Sequence, residues 1–171
     1  MRKSNPIRLA SKRRKASSGF SLIELLIVVA IILIIAAIAI PNLIRARIAA
    51  NQAAAVENCR IIATAEVNYY TSYAAGFAPS LNALGGPVAG APTVTNAQLI
   101  DDVLSTGNRS GYVFTYVPLS IDPSGAYQDY SLNADPLGIG LSGINHYFTD
   151  EPSVIHVNMT APATVNDPPI Q

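Results

Sequence analysis

The chain has 171 residues, half of them hydrophobic, a length that allows one domain plus an appendage. Its formal charge of zero conceals an asymmetry: seven of the eleven Lys and Arg residues (Arg2, Lys3, Arg8, Lys12, Arg13, Arg14, Lys15) precede Gly19, and no acid does. Without that segment four bases face eleven acids, a formal −7, which disfavours binding to phosphate backbones; the single cysteine, Cys59, excludes an intrachain disulfide.

From Leu25 to Ile44 no residue is formally charged, and such a run makes roughly 30 Å of helix, enough to cross a hydrocarbon core. The basic cluster lies on its N-terminal side against Arg45 and Arg47 on the other. The positive-inside bias therefore predicts a cytoplasmic N-terminus and places the bulk of the chain outside that membrane. The helical pattern continues beyond Arg45. Ile48, Gln52, Val56, Cys59, Ala63, Val67, Tyr70, Ala74 and Phe77 recur at intervals of three and four and predict a buried face, with Arg45, Arg47, Asn51, Glu57, Arg60 and Glu66 mainly on the others. One helix is expected from about Phe20 to Ala75, on the order of 80 Å long. Pro41, its only internal breaker, predicts a kink or local melting.

Residues 76–96 hold four glycines and three prolines and read as an irregular loop. AQLIDDVL (97–104) has helical spacing, with Thr95 or Asn96 as its cap, and the Gly-rich STGNRSG ends it. After Gly111 the period becomes two. YVFTYV (112–117), AYQDYSL (126–132), INHYFT (144–149) and SVIHVN (153–158) are rich in aromatic and β-branched residues and bounded by Pro, Gly, Asn and Asp. They predict four antiparallel strands with one buried face, and a short hairpin at Asp150 to Pro152. The tail 159–171 is too rich in proline to extend the sheet. Some 90 residues beyond the helix make a small core, so the amphipathic half of the helix is expected to supply a wall. The fold class is α+β, a long N-terminal spine helix packed on a four-stranded antiparallel sheet.

Glu24, one turn inside the apolar run, is the residue that discriminates among readings. An ordinary secretory signal fits the charge layout, with Ala37-Ile38-Ala39 as a cleavage site, but leaves Glu24 without purpose and cuts a helix whose pattern continues. A plain membrane anchor carries the same carboxylate at a cost of up to roughly 2.5–3.5 kcal/mol. Cleavage between Gly19 and Phe20 would instead give Phe20 an α-amine with an unperturbed pKa of about 7.7–8.0. Glu24 could then pair with the amine of an adjacent subunit and set the axial register of packed helices.

The sequence KRRKASSG (12–19) followed by FSLIELLIVVA (20–30) closely resembles the class III signal of type IV prepilins and type II secretion pseudopilins. The resemblance is specific over residues 12 to about 50. It implies cleavage after Gly19 by a prepilin peptidase, methylation of the Phe20 amine, a recruitment role for Glu24, and a helix-kinking role for Pro41. It further implies a leader at 1–19, a membrane and filament-core helix at 20–44, its amphipathic continuation at 45–75, a variable loop at 76–111, a sheet at 112–158 and a tail at 159–171. The implied partners are the prepilin peptidase, a pilus assembly platform, inner-membrane lipid and identical subunits in a homopolymer; the acidic balance after Gly19 argues against direct nucleic acid. The expected location is the bacterial inner membrane before assembly, and an extracellular pilus or periplasmic pseudopilus after it. The leading reading is a structural subunit of a type IV pilus. A type II secretion pseudopilin shares every N-terminal feature, and a membrane-anchored binding domain is the alternative of another class.

Elsewhere the readings are plain. Cys59 lies on the apolar face as a buried thiol. Tyr69, Tyr70, Tyr73 and Phe77 are read as a seam between helix and sheet. His146 and His156 make a poor zinc pair, and Asp150 and Glu151, with Asp129 or Asp135, are weak calcium candidates whose spacing follows no binding-loop pattern. No catalytic constellation or cofactor motif emerges. With no disulfide available, the C-terminal region must be held by packing, a metal or neighbouring subunits.

Overall fold

The structure, a computed structural model, describes residues 19–86 and 90–170; the basic leader through Ser18, with Lys12 to Lys15, lies outside the described residues. The chain divides at Ile40/Pro41 into two units. Helix α1 is Leu22–Tyr73 and continues through Pro41 without the local melting expected there.

In the N-terminal unit every large aliphatic residue from Leu22 to Ile40 is exposed. The C-terminal unit has a core. There α1 buries Ala55, Asn58, Cys59, Ile62, Ala63, Ala65, Glu66 and Tyr69, at the three- and four-residue intervals of one helical face. This face is rotated from the expected one: Val67 and Tyr70 are half exposed, whereas Glu66, expected outside, is fully buried. The helix is rich in alanine, which gives a weak hydrophobic stripe, and polar partners decide its rotation. The Tyr69 hydroxyl donates to the Val94 carbonyl at 2.7 Å, and Glu66 Oε2 accepts from the Ala78 amide at 3.0 Å.

Two short helices follow, α2 (Leu81–Leu84) and α3 (Asp102–Ser105). The first, unforeseen in the loop, is capped by Ser80 Oγ, which accepts from Ala83 N–H at 3.2 Å. The second is shorter than expected because Asp101, not Asn96 or Thr95, is its cap, accepting from the Val103 and Leu104 amides at 3.1 and 3.0 Å. Residues Ala97, Leu99 and Ile100 instead donate their amides to the carbonyls of Ala83 and Leu84.

The sheet has five strands, β1 (Asn108–Arg109), β2 (Tyr112–Ile121), β3 (Tyr127–Pro136), β4 (His146–Asp150) and β5 (His156–Asn158), in consecutive antiparallel order. The additional strand β1 forms because Ser110 and Gly111, both at positive φ, make the two-residue turn that a tight hairpin demands. Tyr112, Phe114, Tyr130, Leu132, Ala134 and Tyr147 line the inner face, and the register sets Phe114 opposite Ala134 and Ala134 opposite Tyr147. Phe77 meets Tyr130 edge-on at 5.1 Å, and Tyr130 stacks on Tyr116 at 5.6 Å, so the aromatic seam runs through Phe77 rather than along the helix alone.

The tail does more than its prolines suggested. Val157 N–H donates to the Pro168 carbonyl and Ile170 N–H to the Ile155 carbonyl, because proline removes a donor but keeps its acceptor. The His156 ring donates Nδ1–H to the Asp167 carbonyl at 2.6 Å, and Asn133 holds the Ala163 carbonyl at 2.8 Å. Packing and hydrogen bonds therefore fasten the C-terminal region.

Glu66 is the energetic exception in this core. Desolvation pushes its carboxyl up from 4.5 to about 7, against the opposing effects of the Ala78 amide and the adjacent Tyr116 hydroxyl. The folded state thus holds the proton more tightly than the unfolded chain. Its stability is full below the unfolded value and is lost as the pH rises through about 7, by on the order of 3 kcal/mol. Urea unfolding midpoints should fall between about pH 5 and pH 8, and Glu66→Gln should flatten that fall; an equally steep decline in the variant would assign it to other groups.

Candidate functional site

The segment that opens α1 is built from a short local pattern. Ser21 stands just before the first helical residue, and the Glu24 carboxylate reaches back so that its Oε2 accepts from the Ser21 backbone amide at 2.9 Å. The Ser21 carbonyl accepts from Leu25 N–H at 3.2 Å. S-x-x-E is the sequence of a capping box, and the back-reaching carboxylate satisfies one of the amides that a helix start leaves unpaired. Glu24 also lies in the first turn, where the positive end of the helix dipole favours an anion. The capping signal stands in the same four residues, S-L-I-E (21–24), that set Glu24 in the apolar run.

Gly19 and Phe20 precede the helix and are exposed. A Cβ added at Gly19 would meet nothing within 4 Å, so the folded chain has no steric need for glycine there. The apolar stretch of α1 is long enough to cross a membrane, and none of it is buried. Pro41, inside α1 and exposed, falls where the two units divide.

The remaining candidates sit in the C-terminal unit and form no common site. Cys59 is fully buried, and burial pushes its thiol up to about 12, which leaves almost no nucleophilic thiolate at neutral pH. The two histidines are not cross-strand partners: His146 stands opposite Asn158 and His156 opposite Phe148. His146 Nδ1 lies 2.5 Å from Asp135 Oδ1. Asp150 ends β4 with its carboxyl raised by desolvation and by the nearby Asp129 charge, while Glu151 is exposed in the following turn. Among the described residues no group of three or more His, Cys, Asp or Glu side chains is arranged to hold a metal ion.

Comparison with known proteins agrees with the N-terminal geometry. Residues 14–40 match the prokaryotic N-terminal methylation motif. Over 61 residues the chain is 44% identical to the type IV major pilin protein PilA of Myxococcus xanthus, a match that covers 36% of this chain and 28% of that protein. No solved structure matches the chain significantly. The N-terminal region is thus prepilin-like in sequence, and the fold is α+β, a long helix with an antiparallel sheet.

The capping contact separates two properties of Glu24, its acceptor oxygen and its charge. Glu24→Ala should loosen the helix start and speed amide hydrogen exchange at Ser21 and Leu25 in detergent micelles. Glu24→Gln keeps an acceptor oxygen and should leave exchange near the native rate; equal acceleration in both would show that the acceptor alone does not hold the helix start.

Proposed function

We propose that this chain is a structural subunit of a type IV pilus. It waits in the bacterial inner membrane as a single-pass precursor with its N-terminus in the cytoplasm. A prepilin peptidase removes residues 1–19 and methylates the Phe20 amine. An assembly platform then extracts the subunit into a homopolymer whose core is made of 20–44 helices. The observation that carries the reading is the overlap of the methylation motif, residues 14–40, with the exposed apolar start of α1 from Leu22, which admits one carboxylate, Glu24, in its first turn. Gly19 supports the cleavage position, since nothing in the folded chain requires glycine there.

The local bond to Ser21 N–H shapes the proposed assembly chemistry. Before assembly the Glu24 carboxylate is satisfied by its own helix start, so a monomer can carry it in the membrane. After cleavage the Phe20 amine of a neighbouring subunit offers a full opposite charge, which outweighs a neutral amide in low dielectric. The carboxylate can exchange its partner without being left bare.

A type II secretion pseudopilin would share this N-terminal chemistry. The similar Myxococcus protein is named a type IV major pilin, and that name supports the pilus reading. A surface filament lost on deletion of the chain supports the pilus; lost protein secretion with pili intact supports the pseudopilus. Mass spectrometry of sheared surface material should find a mature N-terminus at a methylated Phe20, and any other start overturns the cleavage assignment. Glu24→Gln should be inserted and cleaved at native levels yet assemble poorly. Native filament yield in that variant would remove the charge from the assembly step, and full function of a never-assembled chain would favour a simple anchored binding domain.

A further inference from the structure

The loop between β3 and β4 is apolar, exposed and rigidly built, and the assembly reading gives it no role. Leu137, Ile139 and Leu141 are 64%, 67% and 72% exposed, and no residue from Pro136 to Asn145 is formally charged. Its backbone is largely satisfied internally. Gly140 N–H donates to the Gly143 carbonyl, and the Leu141 and Ser142 amides both donate to Gly138 O. Gly138 N–H donates to Ser142 Oγ at 2.9 Å. The base is fixed to the sheet: Leu137 N–H donates to Gly111 O, the Tyr112 hydroxyl donates to Asn145 O at 2.9 Å, and a Cβ on Gly143 would lie 2.2 Å from that hydroxyl.

The loop is also fixed to the helix within the same unit. Asn51 Nδ2 donates to the Ser142 carbonyl at 2.8 Å, and Ile144 N–H donates to Gln52 Oε1 at 3.1 Å. Asn51 follows Ile44 by seven residues, on the order of 10 Å along the helix. Between them the exposed Arg45 and Arg47 have no ion-pair partner among the described residues. A headgroup layer is about 5–8 Å deep, so the loop is tied to the helix a few ångströms beyond that layer, within side-chain reach of it, when the uncharged run is in lipid. The register brings a further exposed apolar residue to this end, since Asn158, which precedes Met159, lies opposite His146.

We propose that loop 137–144 is a membrane-interface contact of the unassembled subunit, with Leu137, Ile139 and Leu141 seated among the lipid headgroups of the leaflet from which α1 emerges. Three properties favour lipid as the occupant. The loop hides most of its own amides, as a low-dielectric interface requires. Leu43 and Ile44, on α1 in the same unit, are likewise exposed. Two of the four bases that follow Gly19, Arg45 and Arg47, lie within two helical turns of Asn51, which holds the loop, and lipid phosphates complement them while the other charges of the mature chain are mostly acidic. The proposal rests on the membrane-inserted precursor of the preceding section.

The chain contains no tryptophan, so a single introduced one reports one place. Full-length Leu141→Trp, with Ile139→Trp as a second loop variant, is reconstituted in phosphatidylethanolamine and phosphatidylglycerol vesicles that contain brominated lipid. Leu33→Trp reports the span, and the exposed Ile121→Trp, at the other end of β2, reports the affinity of tryptophan itself. Both loop variants should emit to the blue of Ile121→Trp and be quenched more by bromine near the headgroup than by bromine at the chain ends. Emission and quenching equal to those of Ile121→Trp, with Leu33→Trp quenched deep in the bilayer, overturn the loop contact and leave the inserted helix standing. An unquenched Leu33→Trp overturns both. A loop signal that appears only in assembled filaments assigns the surface to a neighbouring copy and overturns the lipid assignment.

Discussion

Everything in this chain is subordinate to the apolar surface at its N-terminal end. From Leu22 to Ile40, fourteen large aliphatic side chains are each more than 45% exposed. Full burial of each is worth roughly 1.5–3 kcal/mol, so covering them releases tens of kcal/mol, against a net stability of roughly 5–15 kcal/mol for a whole domain. Neither the fold of the C-terminal unit nor the intrinsic helicity of α1 can offset such an exposure to water. The segment has to be covered by something other than its own unit, and a bilayer and a bundle of identical helices present nearly the same environment to it. This equivalence lets one surface serve two states, and it makes the few polar features near the helix start disproportionately informative.

Glu24 and Glu66 show two solutions to the same difficulty, a carboxyl where water is scarce. Glu24 stands at a helix start, where unpaired amides are available and the dipole is favourable, and its partner is the Ser21 amide three residues away. That bond is formed within one turn and travels with the helix wherever it goes. Glu66 stands mid-helix, where no amide is spare, and finds Ala78 across a chain reversal. Its second oxygen, Oε1, is buried without a partner, and the carboxyl adjusts by holding its proton. The bond contributes geometry in return. It fixes the start of the segment after α1 against the helix, and with the Tyr116 hydroxyl on the Ala78 carbonyl at 2.8 Å it secures both backbone groups of Ala78.

The features legible in the sequence were those that repeat. The uncharged run of α1 and the period-two segments of β2 and β3 are written in several residues each, so any one residue is dispensable to the inference. Features that depend on a single side chain choosing between equivalent partners were not legible. Asp101 rather than Asn96 caps α3, and both are good caps; the choice follows from Ala97, Leu99 and Ile100 being held by α2 carbonyls. The rotation of α1 failed for the same reason, because alanine at so many positions leaves the hydrophobic stripe nearly flat and hands the decision to Tyr69 and Glu66. In the tail, counting prolines as breakers overlooked that their carbonyls still accept.

The same distinction separates the two units as objects of selection by physics. The C-terminal unit needs specific partners: its sheet register, the Asp167 carbonyl on His156 and the Ala78 lock each join one residue to one other. The N-terminal run needs only area and length, and Leu, Ile and Val can exchange along it with little change in what lipid or a neighbouring helix meets. A segment tolerant in this way cannot define an axial register by packing alone, since sliding by one turn restores nearly the same apolar contacts. A single charge fixed at one end removes that degeneracy. In the proposed filament, the anion that a membrane span would otherwise exclude would therefore have its use at the helix start, one turn from the residue that the proposed cleavage would turn into a cation.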